Sequence, residues 1–282
     1  MRNEITWLFI PANKSDFFTR ALTCDADAII LDLEDSVHPA EKNPGRENII
    51  DWISKINVNE AKRNIYIRIN NPDRNYFADD LKMLNILTKN EVKEIGLVIP
   101  KLELPDTVRQ FKKQLPGGFR HHSLIGIIET ARGVHHCEAI ASSGISRMAF
   151  GSLDYSLDIH CQQSKEALLY ARSKIVVASR IADLPPPIDC VTPRFSSSEQ
   201  LAEDALHSAS LGFGGKLCIH PEQLSIVKNT FLPDSEKLAW ARRVLEKSDR
   251  NYAYQIDGSM IDLPLIKLAR RLLAQANGET QD

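Results

Sequence analysis

The sequence predicts a parallel (β/α)₈ barrel, a TIM barrel, with a helical extension at its C-terminal side. Three observations predict it. Eight short apolar runs recur along the 282 residues, bounded by breakers and separated by stretches of helical periodicity. Several runs end abruptly in charged residues, which is how a parallel barrel presents groups at the C-terminal tips of its strands. The first turn, IPANKSD, lacks the G-x-G-x-x-G pattern, and this weakens the alternative of a doubly wound open sheet.

The elements follow in order. Residues 6–10 form a first apolar run closed by Pro11, and Ser15 stands at an N-cap position before Phe17, Phe18, Ala21 and Leu22 at helical spacing. The run 28–33, AIILDL, ends in Glu34 and Asp35. The run 64–69, NIYIRI, alternates β-branched residues and carries Arg68 near its end. The run 95–99 is stopped by Pro100 and followed by Lys101 and Glu103. The run 124–128 stops at a carboxylate, Glu129. Residues 148–150 lie in a sixth strand, followed by Asp154 and Asp158. Residues 188–191 lie in a seventh, after Pro185-Pro186-Pro187, and 216–219 in an eighth, entered from Gly214-Gly215 and left at Pro221. Between them, 79–87 is amphipathic through Leu81, Leu84 and Leu87; 133–141 and 164–182 follow suit, and 198–211 opens on S-S-E-Q, a capping start. Beyond the eighth strand come a helix over 235–246, a turn-rich YQIDGSMIDLP around Asp257-Gly258, and a basic amphipathic helix over 265–276. We therefore expect a barrel over 1–232 and an extension over 233–282.

Composition narrows the function. Hydrophobic residues make up 43% and charged residues 26%, ordinary for a globular protein. A formal net charge of −2 offers no basic surface for nucleic acid or an anionic membrane. No run approaches the ~18 apolar residues of a membrane helix. The N-terminus has no long apolar segment or small-residue cleavage site of a signal peptide, so a cytoplasmic location is expected. The five cysteines are scattered and form no CxxC, against both a disulfide framework and a thiolate zinc site.

The charged tips hold Glu34, Asp35, Arg68, Lys101, Glu103, Glu129, Asp154 and Asp158. Hard oxygen donors without a histidine or cysteine cluster suit Mg²⁺ or Mn²⁺, and Mg²⁺ commonly takes one or two carboxylates with water and substrate completing its shell. Glu129 and Asp154, on adjacent strands, supply such a pair. Each residue has a blander reading: Glu129 as a helix cap, Asp154 as a turn starter, Glu34-Asp35 as a solvated pair, Arg68 as a barrel salt bridge. The weight lies in five tips agreeing. The pairs His121-His122 and His135-His136 read as solvated, because adjacent residues do not share a helix face. His220 reads as a loop anchor. No G-x-S-x-G elbow exists, and Lys101 has no desolvated setting that would make it a Schiff-base nucleophile.

The segments LFIPANK, AIILDLEDSVHPAEK, YIRIN, GLVIPKLE, IGIIETARGV, FGSLDYSLD, GKLCIHPEQL and DGSMIDLP occur in this order from about Trp7 to Ala276. In this the chain resembles the citrate lyase β-subunit-like family of the HpcH/HpaI aldolase superfamily. The resemblance implies a TIM barrel with a C-terminal helical extension, assembled as a trimer. It implies cleavage or formation of a carbon–carbon bond between an acyl thioester and an α-keto acid, with Mg²⁺ as cofactor. The family's metal ligands fall on Glu129 and Asp154, and its substrate-binding arginine on Arg68. Its proton-transfer aspartate, supplied by a neighbouring subunit, falls on Asp262. Glu34 and Asp35 match an acidic pair beneath the metal, and Lys14 falls where a basic or polar residue meets a carboxylate or a CoA phosphate. Leu153 stands where relatives commonly carry Glu, and Arg194 where many are acidic. The expected activity is a Mg²⁺-dependent malyl-CoA or citramalyl-CoA type lyase. The alternatives are a citrate lyase β subunit acting on citryl carried by an acyl carrier protein (ACP), a metal-dependent pyruvate aldolase, and a non-catalytic binding barrel.

Overall fold

The computed structural model describes residues 4–56, 64–72, 75–89, 95–119, 123–194, 197–248 and 253–277. Eight parallel strands, β1 (Thr6–Pro11), β2 (Ala28–Asp32), β3 (Asn64–Arg68), β4 (Ile95–Ile99), β5 (Leu124–Ile128), β6 (Arg147–Phe150), β7 (Ile188–Asp189) and β8 (Gly215–Cys218), close in chain order into a barrel. Closure comes from β1 pairing with β8, Trp7 opposite Leu217, and it settles the choice against an open sheet. Around the barrel run α1 (Asp16–Thr23), α2 (Lys42–Lys55), α3 (Phe77–Lys89), α4 (Pro105–Gln114), α5 (Ala131–Ala141), α6 (Ser152–Ile159), α7 (Lys165–Ile181), α8 (Ser198–Leu211) and α9 (Gln223–Phe231).

The strands read as continuous apolar runs because both faces are buried. One set of side chains, including Trp7, Ile30, Tyr66, Val98, Ile125 and Leu217, fills the barrel interior. The alternate set, such as Ile29, Ile65, Leu97 and Phe150, joins the core shared with the helices. Gly96 is required inside: a Cβ there would lie 2.2 Å from the Tyr66 ring. The interior is therefore a packed plug, and only the strand tips are available for chemistry.

Most boundaries differ from expectation by a residue or two. The seventh strand is shorter, two residues instead of four, because the Cys190 carbonyl accepts from Lys216 Nζ (2.6 Å) and not from a neighbouring strand. Ser15 makes no capping bond, since its backbone is already helical. Thr130, Ser164 and Ser197 do cap their helices, accepting from Gly133, Ala167 and Gln200 N–H groups. Helix α2 was not marked by periodicity, because it buries Lys42 and Arg46 among its apolar residues. Lys42 Nζ spans the carbonyls of Leu33 (2.7 Å) and Glu34 (3.1 Å) and the Asn70 amide oxygen (2.6 Å), and so pins the loop after β2.

After α9 the chain forms α10 (Ser235–Ser248), a hairpin of β9 (Tyr254–Ile256) and β10 (Ser259–Ile261), and α11 (Leu263–Asn277). The stretch read as turn-rich is this hairpin. Asp257 (φ 49°) and Gly258 (φ 77°) both take left-handed conformations, as a two-residue hairpin turn requires. Ala241, Val244, Ile256, Ile261, Ile266 and Ala269 form a core of the extension's own.

Candidate active site

Strand register brings the charged tips together. Pairing of β2 with β3 sets Asp32 beside Arg68, the last residues of their strands. Asp32 is fully buried and grips the guanidinium with both oxygens, Nε at 2.6 Å and Nη2 at 2.5 Å. Burial alone would raise its pKa, but Arg68, the Ser36 hydroxyl and the Glu34 N–H hold it below the ordinary aspartate value. Arg68 also meets Glu34 Oε2 at 3.2 Å and lies 4.6 Å from the Phe9 ring centroid. Despite its burial, these carboxylates push its pKa up, so it is a permanent cation.

Lys101 follows β4 in a left-handed conformation (φ 49°). Its N–H donates to Glu129 Oε1 (2.6 Å), while its ammonium reaches Glu34 (2.6 Å) and Asp35 (2.7 Å) and leans toward Asp154 (3.7 Å). Glu129, one residue past β5, is 3% exposed. Burial, then the charges of Asp154 and Glu34, push its pKa up to about 8, against the pull of Arg68 and Lys101. Asp154 lies in the first turn of α6, where a helix N-terminus favours a carboxylate. Gly151 makes this arrangement possible, because a Cβ at that position would stand 2.3 Å from Glu129 Oε2.

These residues fit a divalent cation. Among the described residues, Asp32, Glu34, Asp35, Glu129 and Asp154 face three cations, Arg68, Lys101 and Lys42. Fully ionised, five acids against three cations leave two uncompensated negative charges, and the charges of Asp154 and Glu34 add to burial in raising Glu129. Among the described residues no three carboxylate, histidine or thiol groups converge as a closed ligand set. An ion held by Glu129 and Asp154 would therefore keep positions for water and substrate, as Mg²⁺ prefers.

The cluster opens into a cavity of about 210 Å³, walled by Phe9, Ile127, Phe150, Leu153, Leu217 and Ile219. It is sized for a small organic acid and has Arg68, Glu129 and Asp154 on its lining. A larger hollow of about 1400 Å³ lies at the opposite end of the barrel, between strand starts such as Ile5 and Gly214 and the extension. It contains none of the strand-tip acids.

Other candidates have different partners. Asp158 accepts from Ala131 N–H (2.6 Å) and caps α5. His136 Nδ1 lies 3.1 Å from the Glu103 carbonyl, and His220 accepts from Glu222 N–H, a loop anchor as expected. Lys14 and Arg194 are exposed on loops. Asp262 accepts from Leu265 N–H (3.4 Å) at the start of α11 and is not among the residues lining the cavity. His121 and His122 lie outside the described residues. Sequence reasoning missed Asp32, which is hidden inside an apolar run, and Gly151. It named Lys101 without a role. The signal for Asp32 was there: aligning the second and third runs by their ends sets it opposite Arg68.

Comparison with known proteins adds to this geometry. The family model described as HpcH/HpaI aldolase/citrate lyase matches residues 6–221. Human mitochondrial citramalyl-CoA lyase is 28% identical, over 95% of this chain and 84% of its own. The L-malyl-CoA/β-methylmalyl-CoA lyase of Rhodobacter capsulatus is also 28% identical, over 95% and 93%. The solved structure of CitE from Mycobacterium tuberculosis, in complex with magnesium, acetoacetate and coenzyme A, superimposes with a TM-score of 0.82 at 29% identity, covering 97% of this chain and 98% of that one.

Proposed function

The chain belongs to the HpcH/HpaI aldolase/citrate lyase family, a family of carbon–carbon lyases, and from that premise we propose that it is a Mg²⁺-dependent lyase of β-hydroxyacyl-CoA thioesters. The substrate is of malyl-CoA or citramalyl-CoA type, and the products are acetyl-CoA and an α-keto acid. The observation that carries this reading is the carboxylate pair Glu129 and Asp154, in a cluster with more acids than cations, beside a clamped arginine at the mouth of a small cavity. Relatives with these activities and a relative holding magnesium and coenzyme A support it.

In a retro-Claisen cleavage the hydroxyl loses its proton, the carbon–carbon bond breaks, and the electron pair leaves as a thioester enolate that must be protonated. Glu129 and Asp154 would hold Mg²⁺ (or Mn²⁺), which when bound would supply Lewis-acid stabilisation of negative charge on the keto-acid oxygen. Arg68 donates charge-assisted hydrogen bonds to substrate oxygens, and Asp32 fixes its plane without touching substrate. Glu34 and Asp35 lie beneath as hydrogen-bond acceptors. Asp262 protonates the enolate, or removes the α-proton in the condensing direction. Lys14 is available to a carboxylate or a CoA phosphate.

Asp262 does this from a neighbouring subunit of a homotrimer, with the extension, residues 233–282, completing the next barrel's site. Exposed apolar side chains support this reading. Leu153 (42% exposed) and Leu157 (74%) lie on α6 beside the cavity, and Met260 (68%) and Leu263 (44%) flank Asp262. The test is a panel of malyl-, citramalyl- and citryl-CoA with and without Mg²⁺. Cleavage of a free CoA thioester by the purified chain is expected. Turnover only with an acyl carrier protein and partner subunits would favour the citrate lyase β-subunit reading. Activity on a free hydroxy-keto acid that survives Asp262→Asn would favour a pyruvate aldolase.

A further inference from the structure

The lyase reading leaves Lys101 without a task, although its side chain and backbone touch four of the five acids of the site. Its ammonium bonds two carboxylates, Glu34 at 2.6 Å and Asp35 at 2.7 Å, and stands 3.7 Å from Asp154, a proposed metal ligand. Its own backbone N–H holds the other proposed ligand, Glu129, at 2.6 Å. A non-glycine residue at φ 49° is a strained choice, and such strain persists where the surroundings over-determine it. The left-handed turn is what sends the N–H toward Glu129 while the side chain goes to Glu34.

Charge explains why a cation belongs there. Arg68 serves Asp32 and Glu34, and Lys42 Nζ serves the carbonyls of Leu33 and Glu34, so among the described residues Lys101 is the cation that pairs with Asp35 and Asp154. With Lys101 present, a divalent cation would bring the five acids and the three cations Arg68, Lys101 and Lys42 to neutrality. Without Lys101, one negative charge would remain. The proposed substrates are anionic at the keto-acid carboxylate, and an anion entering a net negative site meets repulsion that the apolar walls do not screen. A lysine 3.7 Å from a metal ligand also repels the metal, so it lowers metal affinity.

We propose that Lys101 is the charge-balancing residue of this site: it weakens the hold on the divalent cation and in exchange lets the loaded site accept an anionic substrate. This rests on the Mg²⁺-lyase reading. Lys101 is a positioning residue, acting on substrate through the carboxylates it holds, and its signature is two affinities moving in opposite directions.

The experiment compares wild type, Lys101→Met and Lys101→Arg. Mn²⁺ binding is measured by electron paramagnetic resonance without substrate, and pyruvate or glyoxylate binding to the Mn²⁺-loaded protein by calorimetry. Lys101→Met should bind Mn²⁺ on the order of tenfold more tightly and the keto acid on the order of tenfold more weakly. Lys101→Arg, which keeps the charge, should restore both toward wild type. Circular dichroism of each variant checks the fold. If Lys101→Met loses both affinities together, Lys101 is only scaffolding. If both stay unchanged, it is a bystander. Either result overturns the proposal while wild-type Mn²⁺ binding leaves the lyase reading standing. A wild-type protein with no Mn²⁺ affinity would instead sink the lyase reading, and this inference with it.

Discussion

Adding one methyl group at Gly151 should disable the metal site without unfolding the barrel. A Cβ there would lie 2.3 Å from Glu129 Oε2, 2.6 Å from its Cβ and 3.1 Å from its Cδ, where ordinary contacts begin near 3.4 Å. The backbone is no obstacle, because φ −106° and ψ 86° are open to alanine. The three nearest atoms all belong to Glu129, so the closest conflict is with that residue. Rotation of that side chain relieves the contacts with Oε2 and Cδ, but the contact with Cβ yields only to a backbone shift, and together these forfeit its 2.6 Å bond from Lys101 N–H and carry its carboxylate from its place beside Asp154. Overpacking relieved in this way costs about 1–3 kcal/mol of stability. Loss of ligand orientation should weaken metal binding by on the order of tenfold to a hundredfold. The assay is Mn²⁺ titration beside a urea melt, with Gly117→Ala as control, since a Cβ at Gly117 meets nothing within 4 Å. A folded Gly151→Ala protein that binds Mn²⁺ as wild type does would refute the placement of Glu129 as a ligand.

Three further outcomes are expected. Asp32→Asn removes one member of a buried ion pair and should cost about 3–5 kcal/mol in a urea melt, with a larger loss of turnover than of metal affinity. Glu129→Gln and Asp262→Asn should each be inactive alone. Mixed and reassembled in equal amounts, they should recover about a quarter of wild-type activity, since an intact site then needs one chain of each kind. No recovery after verified subunit exchange would count against a shared site. Asp189 is fully buried beside Arg172 and Lys216; burial alone would raise its pKa, but those cations hold it below the ordinary 3.8. A folded-state value below the unfolded one stabilises the protein above that range, and the contribution is lost as pH falls through the folded value. Unfolding free energy followed from pH ~6 to ~3 should therefore drop less steeply for Asp189→Asn than for wild type.

The barrel was legible because a strand buried on both faces must be apolar along its length. Residues 28–33 and 124–128 announce themselves for that reason, as does the acid that ends each. Helices that bury polar side chains were not legible. Lys42 and Arg46 sit inside α2 to serve Asn70 and Asp80, and they break the apolar period that would have marked the helix. The hairpin at Asp257-Gly258 was read as loose turn, since three-residue strands carry too little alternation to register.

For the site, the sequence by itself determined which groups stand at the strand tips, because the chain must place whatever follows each apolar run at the same end of a parallel barrel. It thereby named Glu34, Asp35, Arg68, Glu129 and Asp154 together. Barrel closure then sets how they are shared out. Arg68 goes to Asp32, Lys101 goes to Glu34 and Asp35, and Glu129 is left buried with its pKa pushed up to about 8. The reason is physical: electrostatic energies depend on separation and burial, and neither is set until barrel closure fixes the register between strands.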